Sequence, residues 1–222
     1  MKTNDEYVWI NYTKEYSGQL KQIEQEDDQT FFITEFEENS GEIIFKDPLH
    51  VNWKELYAAV YDLKPESVFE CGFGGCYHLK NISKILPDAK ISGTDLLQTQ
   101  MDFGVEFSKI PDSIKDNMCV MDFSQTSLKH DVGQHEFVYS QAVVMHLNTE
   151  KGKQFLKNMG KISSKYVFLM EGYKNHENFF DMVKECLPDF EFSVVHKHVS
   201  NCLEEDPNGP NFSCGILMTR KS

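Results

Sequence analysis

Apolar residues recur along this chain with two alternating periods. Trp53, Leu56, Tyr57, Val60 and Leu63 fall at helical spacing, which predicts an amphipathic helix over 51–63 that Pro65 ends. Ser67-Val68-Phe69-Glu70-Cys71 reads as a short strand. A glycine run follows it, then a helix carrying Leu79, Ile82, Ile85 and Leu86 that stops at Pro87-Asp88. Further strands are expected at 90–95, 118–121, 136–140, 166–170, 192–196 and 214–218, with helices at about 98–110, at 149–159 and around Phe179, Phe180, Val183 and Leu187. Strands alternating with helices of about 10 residues imply βαβ units and a mostly parallel sheet. Apolar runs in the middle strands fit burial on both faces. Only the polar stretch 201–210 joins the last two strands, so they are free to pair antiparallel.

Residues 1–50 follow a different pattern and are read as an N-terminal cap or lid ahead of a main domain at 51–222. Tyr7, Trp9, Tyr12 and Tyr16 crowd its start, and an acidic stretch at 24–28 follows. Phe31-Phe32-Ile33 and Ile43-Ile44-Phe45 flank Asn39-Ser40-Gly41, which predicts two short strands around a turn. The aromatic group reads either as packing under a short element or as a lid whose tyrosines close over a ligand.

The 222-residue length suits a single α/β domain with a small appendage. Asp and Glu outnumber Lys and Arg 35 to 22, a net charge of -13, and the single arginine is Arg220. Nucleic acid as a partner would call for a basic face, so none is expected. No apolar run approaches the roughly 20 residues that cross a bilayer, and the first residues lack a signal-peptide core. A cytoplasmic protein with no membrane partner is the expectation. The six cysteines lack CxxC spacing and read as reduced, buried thiols. His196 and His198 alternate on one strand, but two histidines without a third ligand do not make a metal centre, and none is expected.

In an open α/β sheet, ligands bind beyond the carboxyl ends of the strands. The first main-domain strand runs into Glu70-Cys71-Gly72-Phe73-Gly74-Gly75-Cys76, where glycines allow a tight turn and close backbone approach. The next ends in Asp95, followed by Leu96, 21 residues after Gly74. Asp95 is placed to accept two hydrogen bonds from a ribose diol, or to cap the following helix. The third ends Met121-Asp122-Phe123, where Asp122 reads as an acceptor for an adenine amine, with Phe123 against the ring, or as a loop carboxylate. The fourth ends Ser140-Gln141-Ala142-Val143-Val144-Met145-His146-Leu147.

Taken together, these strand ends resemble those of the class I, Rossmann-like S-adenosylmethionine-dependent methyltransferases. Glu70-Cys71-Gly72-Phe73-Gly74 is similar to their E/DxGxG motif, Asp95 and Asp122 match the acids after their second and third strands, and residues 138–147 are similar to the segment after the fourth. Cys76 departs from the pattern, standing where a third glycine is often found. The resemblance covers about residues 50–222. It implies a seven-stranded Rossmann-like sheet with an antiparallel last strand and helices on both faces. It implies S-adenosylmethionine as cofactor and S-adenosylhomocysteine as product. Gly72, Phe73 and Gly74 would approach the methionine portion, Glu70 its amine, Asp95 and Leu96 the ribose, Asp122 and Phe123 the adenine, with Ser140 and Gln141 as the floor near the sulfur and Tyr12 and Tyr16 as a lid.

The implied reaction is methyl transfer to a small-molecule acceptor, most naturally at an oxygen of a sugar- or phosphorus-linked compound from surface-polysaccharide or natural-product synthesis. His146 is the candidate base, because an imidazole titrates near neutrality, and Glu171 with Tyr173 beside it is a candidate substrate contact. A homodimer is compatible with the sequence. The alternatives are an NAD-dependent oxidoreductase, which shares the glycine turn and the Asp95 position but not Glu70, Asp122 or Tyr77, and a catalytically inactive cofactor-binding subunit.

Overall fold

A computed structural model describes residues 33–37, 42–45, 51–199 and 212–221. The chain order is β1 (Ile33–Glu37), β2 (Glu42–Phe45), α1 (Val51–Leu63), β3 (Ser67–Cys71), α2 (Tyr77–Ile85), β4 (Lys90–Asp95), α3 (Gln98–Phe107), α4 (Asp112–Lys115), β5 (Met118–Val120), β6 (His135–Gln141), α5 (Thr149–Ile162), β7 (Ser163–Gly172), α6 (Phe179–Cys186), β8 (Phe190–Val199) and β9 (Phe212–Arg220). Strands β1 and β2 form a separate antiparallel pair. Within the expected 1–50 segment, Phe31 and Phe32 and the candidate lid residues Tyr12 and Tyr16 lie outside the described residues.

The main sheet has seven strands in the order β5-β4-β3-β6-β7-β9-β8. Strands β3 to β7 pair in parallel, and β9 runs antiparallel to both β7 and β8, so six strands share one direction. The order reverses between β3 and β6, which opens a crevice at their carboxyl ends. Alternation along each strand splits the core in two. Val68, Phe137, Tyr139, Phe168 and Met170 pack with Leu56, Tyr57 and Val60 of α1 and Leu79, Ile82 and Ile85 of α2. Phe69, Val138, Val167 and Leu169 pack with Phe155, Leu156 and Met159 of α5 and Met182 and Val183 of α6.

Several features depart from the expected elements, the short helix α4 among them. Helix α3 stops at Phe107 rather than Ile110, because Lys109 takes φ +49 and Pro111 disfavours helical backbone before it. Helix α5 continues to Ile162 and passes into β7 with no loop. Single 3-10 turns, at Val144–His146 and Tyr173–Asn175, were not legible from period. Cys71, Cys76, Cys119, Cys186 and Cys214 are free thiols. Among the described residues no helix is long and apolar enough to cross a membrane. Nor is any group of three or more His, Cys, Asp or Glu placed to hold a metal ion; the side chains of His196 and His198 lie outside the described set.

The lone arginine closes the α5–β7 junction. Arg220 Nη2 donates to the carbonyls of Gly160 and Ser163, each at 2.7 Å, and its guanidinium lies 4.5 Å from the Phe190 ring centroid. These are carbonyls that the end of α5 leaves without helical partners, and a cation there also suits the helix dipole. Charge-assisted bonds of this kind contribute about 2 kcal/mol. Arg220→Ala is therefore expected to lower the denaturation free energy by about that amount, with Arg220→Lys recovering only part, because a point charge cannot reproduce the fork. Chemical denaturation curves for the three proteins check this.

Candidate functional site

The turn after β3 is built by contact and by backbone sign. Gly72 has φ +85, and a Cβ there would overlap Val143 Cγ2 from the loop after β6. Its N–H and that of Phe73 donate to the Thr94 carbonyl at 2.7 and 3.1 Å, which ties the turn to β4. Gly74 has φ +48, and a Cβ there would meet nothing within 4 Å, so this glycine borders open space. Cys76, where a third glycine was the family expectation, takes a left-handed φ of 64 at the start of α2. The room for its thiol comes from Gly104 of α3, where a Cβ would collide with Cys76 Sγ. The small residue has moved to the neighbouring helix. Phe73 is buried in the core, so its backbone is the part that borders the turn.

Three carboxyl groups converge on the adjacent tips of β3, β4 and β5. Glu70, the penultimate residue of β3, is 1% exposed, and its Oε2 has no hydrogen-bond partner. Tyr139 stands opposite it on β6, and its hydroxyl, near enough to act on the Glu70 carboxyl, falls short of hydrogen-bond geometry. Burial raises the Glu70 carboxyl well above its ordinary range; the nearby Tyr139 hydroxyl opposes this and the Asp95 charge adds to it. Asp95 Oδ2 accepts from the Gly74 N–H at 2.9 Å, and Oδ1 from Leu97 N–H at 3.1 Å. Asp95 thus ties the glycine turn to the start of the next segment, while the N-cap position of α3 is Leu97, which has no side-chain cap. Burial raises the Asp95 pKa too, partly offset by these N–H groups. Leu96 beside it is half-buried.

Asp122 is partly exposed and closes a turn. Its Oδ1 accepts from Ser124 N–H at 2.9 Å, its Oδ2 from Gln125 Nε2 at 2.7 Å, and Lys151 Nζ lies 3.7 Å away. Burial would raise its pKa, but these donors and Lys151 bring it below the usual carboxylate value. The Phe123 ring is 4% exposed, between Phe69 and Phe155 with centroids 6.1 and 5.3 Å away. Its expected position against an adenine ring is therefore corrected: the ring belongs to the core, and only its backbone N–H is left for a ligand.

The segment leaving β6 is gripped from β7. Glu171 was expected to touch substrate, yet it is 1% exposed and turned toward this loop. Its Oε1 accepts from Ser140 Oγ at 2.9 Å and Val143 N–H at 3.2 Å, and its Oε2 from Met145 N–H at 3.2 Å. Ser140, expected near the cofactor sulfur, is fully buried in this contact. His176, which pattern reading did not single out, bonds the Val144 carbonyl through Nε2 at 2.8 Å. Within the gripped segment Ala142 takes φ +53 and a 3-10 turn follows at Val144–His146. His146 is half-buried, and burial lowers its pKa from 6.5. Gln141, at the tip of β6, is half-buried and bonds His78 of α2 through its Oε1.

The sequence held one signal for the missed residues on α2. His78 and Asn81 share the buried stripe with Leu79, Ile82 and Ile85, and polar residues on such a stripe need partners. Chemically, these strand ends offer a buried carboxyl with a bare oxygen, a glycine turn open to a ligand, two further acids at neighbouring tips and an imidazole whose proton affinity burial lowers.

No protein-family model and no curated protein sequence matches the chain. Solved structures do. A TehB-like S-adenosylmethionine-dependent methyltransferase from Corynebacterium glutamicum aligns with a TM-score of 0.61 at 13% identity, over 95% of this chain and 99% of that one. Magnesium protoporphyrin IX methyltransferase from Synechocystis, solved with bound S-adenosylmethionine, aligns at 0.57 and 14%, over 76% and 78%. An O-methyltransferase family protein from Burkholderia thailandensis aligns at 0.55 and 7%, over 76% of this chain and 56% of that one. The chain has the Rossmann-like methyltransferase fold.

Burial lifts the Glu171 carboxyl from 4.5 to about 7, against the opposing pull of Ser140 and the loop N–H groups. The fold therefore keeps a proton that the unfolded chain sheds above pH 4.5. Stability from this group is full below pH 4.5 and is lost as pH rises toward 7, by on the order of 3 kcal/mol. Glu171→Gln cannot titrate, so the stability difference between wild type and variant should shrink across that interval. Urea melts at half-unit pH steps test this, and a constant difference would contradict it.

Proposed function

We propose that this protein transfers the methyl group of S-adenosylmethionine to an oxygen atom of a small molecule, with His146 as the base. The observation that carries this reading is Glu70. A buried carboxyl with a bare oxygen, under a glycine turn that borders open space, suits a ligand carrying a cationic amine. The cofactor's amino-acid end has such an amine. Its ribose would lie at Asp95, where each carboxylate oxygen keeps a lone pair beyond its backbone bond, and its adenine between Asp122 and the Phe123 N–H.

S-adenosylmethionine supplies a methyl group on an already activated sulfonium, open to in-line displacement. The chain's own residues then have alignment and proton removal to supply. The glycine turn and the loop held by Glu171 fix the crevice walls. His146 is neutral at physiological pH, and its imidazole nitrogen would take the proton of the attacking hydroxyl. A sugar- or phosphate-linked hydroxyl compound is the acceptor class this reading favours.

Calorimetry with S-adenosylmethionine and S-adenosylhomocysteine should give a roughly micromolar Kd. Asp95→Ala and Glu70→Gln should each weaken it by about tenfold or more, the effect of losing one charge-assisted bond. The Glu70 carboxyl must ionise to meet an ammonium group, so binding should release a proton and tighten as pH rises above the ordinary carboxylate range. Heats that fail to vary with the ionisation enthalpy of the buffer would remove that link, and no heat from either compound would remove the function. Assays of methyl release to a panel of hydroxyl compounds test the base. His146→Ala should cost about 100-fold or more in rate, and the wild-type rate should fall on the acid side with a midpoint below 6.5.

A further inference from the structure

A chain of buried polar groups runs from the interior of the α1–α2 layer to the tip of β6. Tyr57 is fully buried, Asn81 is 1% and His78 6% exposed. Asn81 Nδ2 donates to the Tyr57 hydroxyl at 2.8 Å, and the same hydroxyl lies 2.8 Å from His78 Nδ1. His78 Nε2 bonds Gln141 Oε1. The Trp53 ring stands edge-on to His78 with centroids 5.2 Å apart.

The direction of this chain follows from counting protons. The tyrosine hydroxyl has one hydrogen. Gln141 presents its carbonyl Oε1, which can only accept, to His78 Nε2, and the Tyr57 hydroxyl at Nδ1 is able to donate. The ring proton therefore sits on Nε2 and is donated to Gln141 Oε1. The opposite direction would need Asn81 to present its oxygen and Gln141 its nitrogen, and both amides are turned the other way. Burial agrees with a neutral ring, since it pulls His78 down to about 4. With Oε1 turned to His78, the other end of the half-buried Gln141 amide is its NH2 group, which can only donate.

We propose that Gln141, locked in one orientation by His78, selects the methyl acceptor by donating an amide N–H to it. The acceptor then carries a carbonyl, carboxylate or phosphoryl oxygen beside its nucleophilic hydroxyl. This rests on the methyltransferase reading and narrows its substrate class. His78 is the positioning residue and Gln141 the one that touches substrate. Acceptors whose corresponding group is an amine or another donor are rejected, because two donors would face each other in a partly dry site.

The test uses the full chain labelled with 15N, with and without S-adenosylhomocysteine. Long-range 1H–15N spectra should show His78 as the neutral Nε2–H tautomer from about pH 5 to 8, well above its folded pKa of about 4. Millimolar phenyl phosphate and benzoate should move the Gln141 side-chain amide protons downfield, and benzylamine should not. Gln141→Glu should abolish the response. His78→Gln, which can still donate to residue 141, should keep it, and His78→Leu should lose it with the fold intact. An Nδ1–H tautomer, a response to benzylamine instead, or no response to any of the three probes overturns the proposal. Loss of cofactor binding with these signatures unchanged would count against the methyltransferase reading alone.

Discussion

A carboxyl group buried with one oxygen bare is the constraint around which this molecule is arranged. Leaving a polar group of that kind without a partner costs about 1–3 kcal/mol, and more when it is charged. Glu70 could shed the cost by turning outward, but β3 is an interior strand, paired on both sides by β4 and β6. The same position puts it beside the reversal of strand order, where the crevice opens. Asp95 and Asp122 bring two more carboxyl groups to the next two tips, and of the three only Asp122 is held below the usual carboxylate range. A site of this kind would be relieved by a cation with hydrogen-bonding hydroxyls attached, which is the link between this energetic defect and the proposed ligand.

The exit of β6 serves both faces of the sheet. Ser140 points into the α5–α6 side and bonds Glu171, whereas Tyr139 and Gln141, one residue either way, point into the α1–α2 side. The first face holds the loop: Glu171 accepts its N–H groups while His176 bonds one of its carbonyls. The second face holds a side chain, through the ordered series from Asn81 to Gln141. Val143 completes the coupling by leaning on Gly72, so the shape of the glycine turn depends on how the β6 loop is held. A change at Glu171 would reach the glycine turn through two contacts.

Much of this fold was legible because its rules are local. Strand 67–71 and helix 51–63 stand where period and Pro65 place them, and the polar connection before β9 admitted the antiparallel pairing found there. The acids at three consecutive strand ends were legible for the same reason, since a parallel sheet brings all its carboxyl ends to one edge. What escaped were contacts between positions far apart in sequence. Nothing near Glu171 marks it as the partner of Val143 and Met145, 28 and 26 residues earlier. The link from Gln141 to His78 spans 63 residues and depends on how α2 is rotated. The exchange of bulk between Cys76 and Gly104 was hidden for the same reason, and a motif read position by position registers it only as a departure.

The charge of a sulfonium also bears on why an amide stands at the β6 tip. A lysine or arginine would hold a carboxylate or phosphate more strongly than a glutamine does. Under the proposed binding mode it would also sit close to the positive centre of the methyl donor. At about 5 Å and an effective dielectric near 20, two like charges repel by about 3 kcal/mol, enough to cost two decades of cofactor affinity. A neutral donor orients an anionic acceptor without that repulsion. The same reasoning favours neutral rings at His78 and His146, and burial lowers the proton affinity of both. The ammonium of Lys151 is drawn to Asp122. In a chain with one arginine, already engaged at the α5–β7 junction, discrimination by directed neutral donors is the form of recognition this crevice can support.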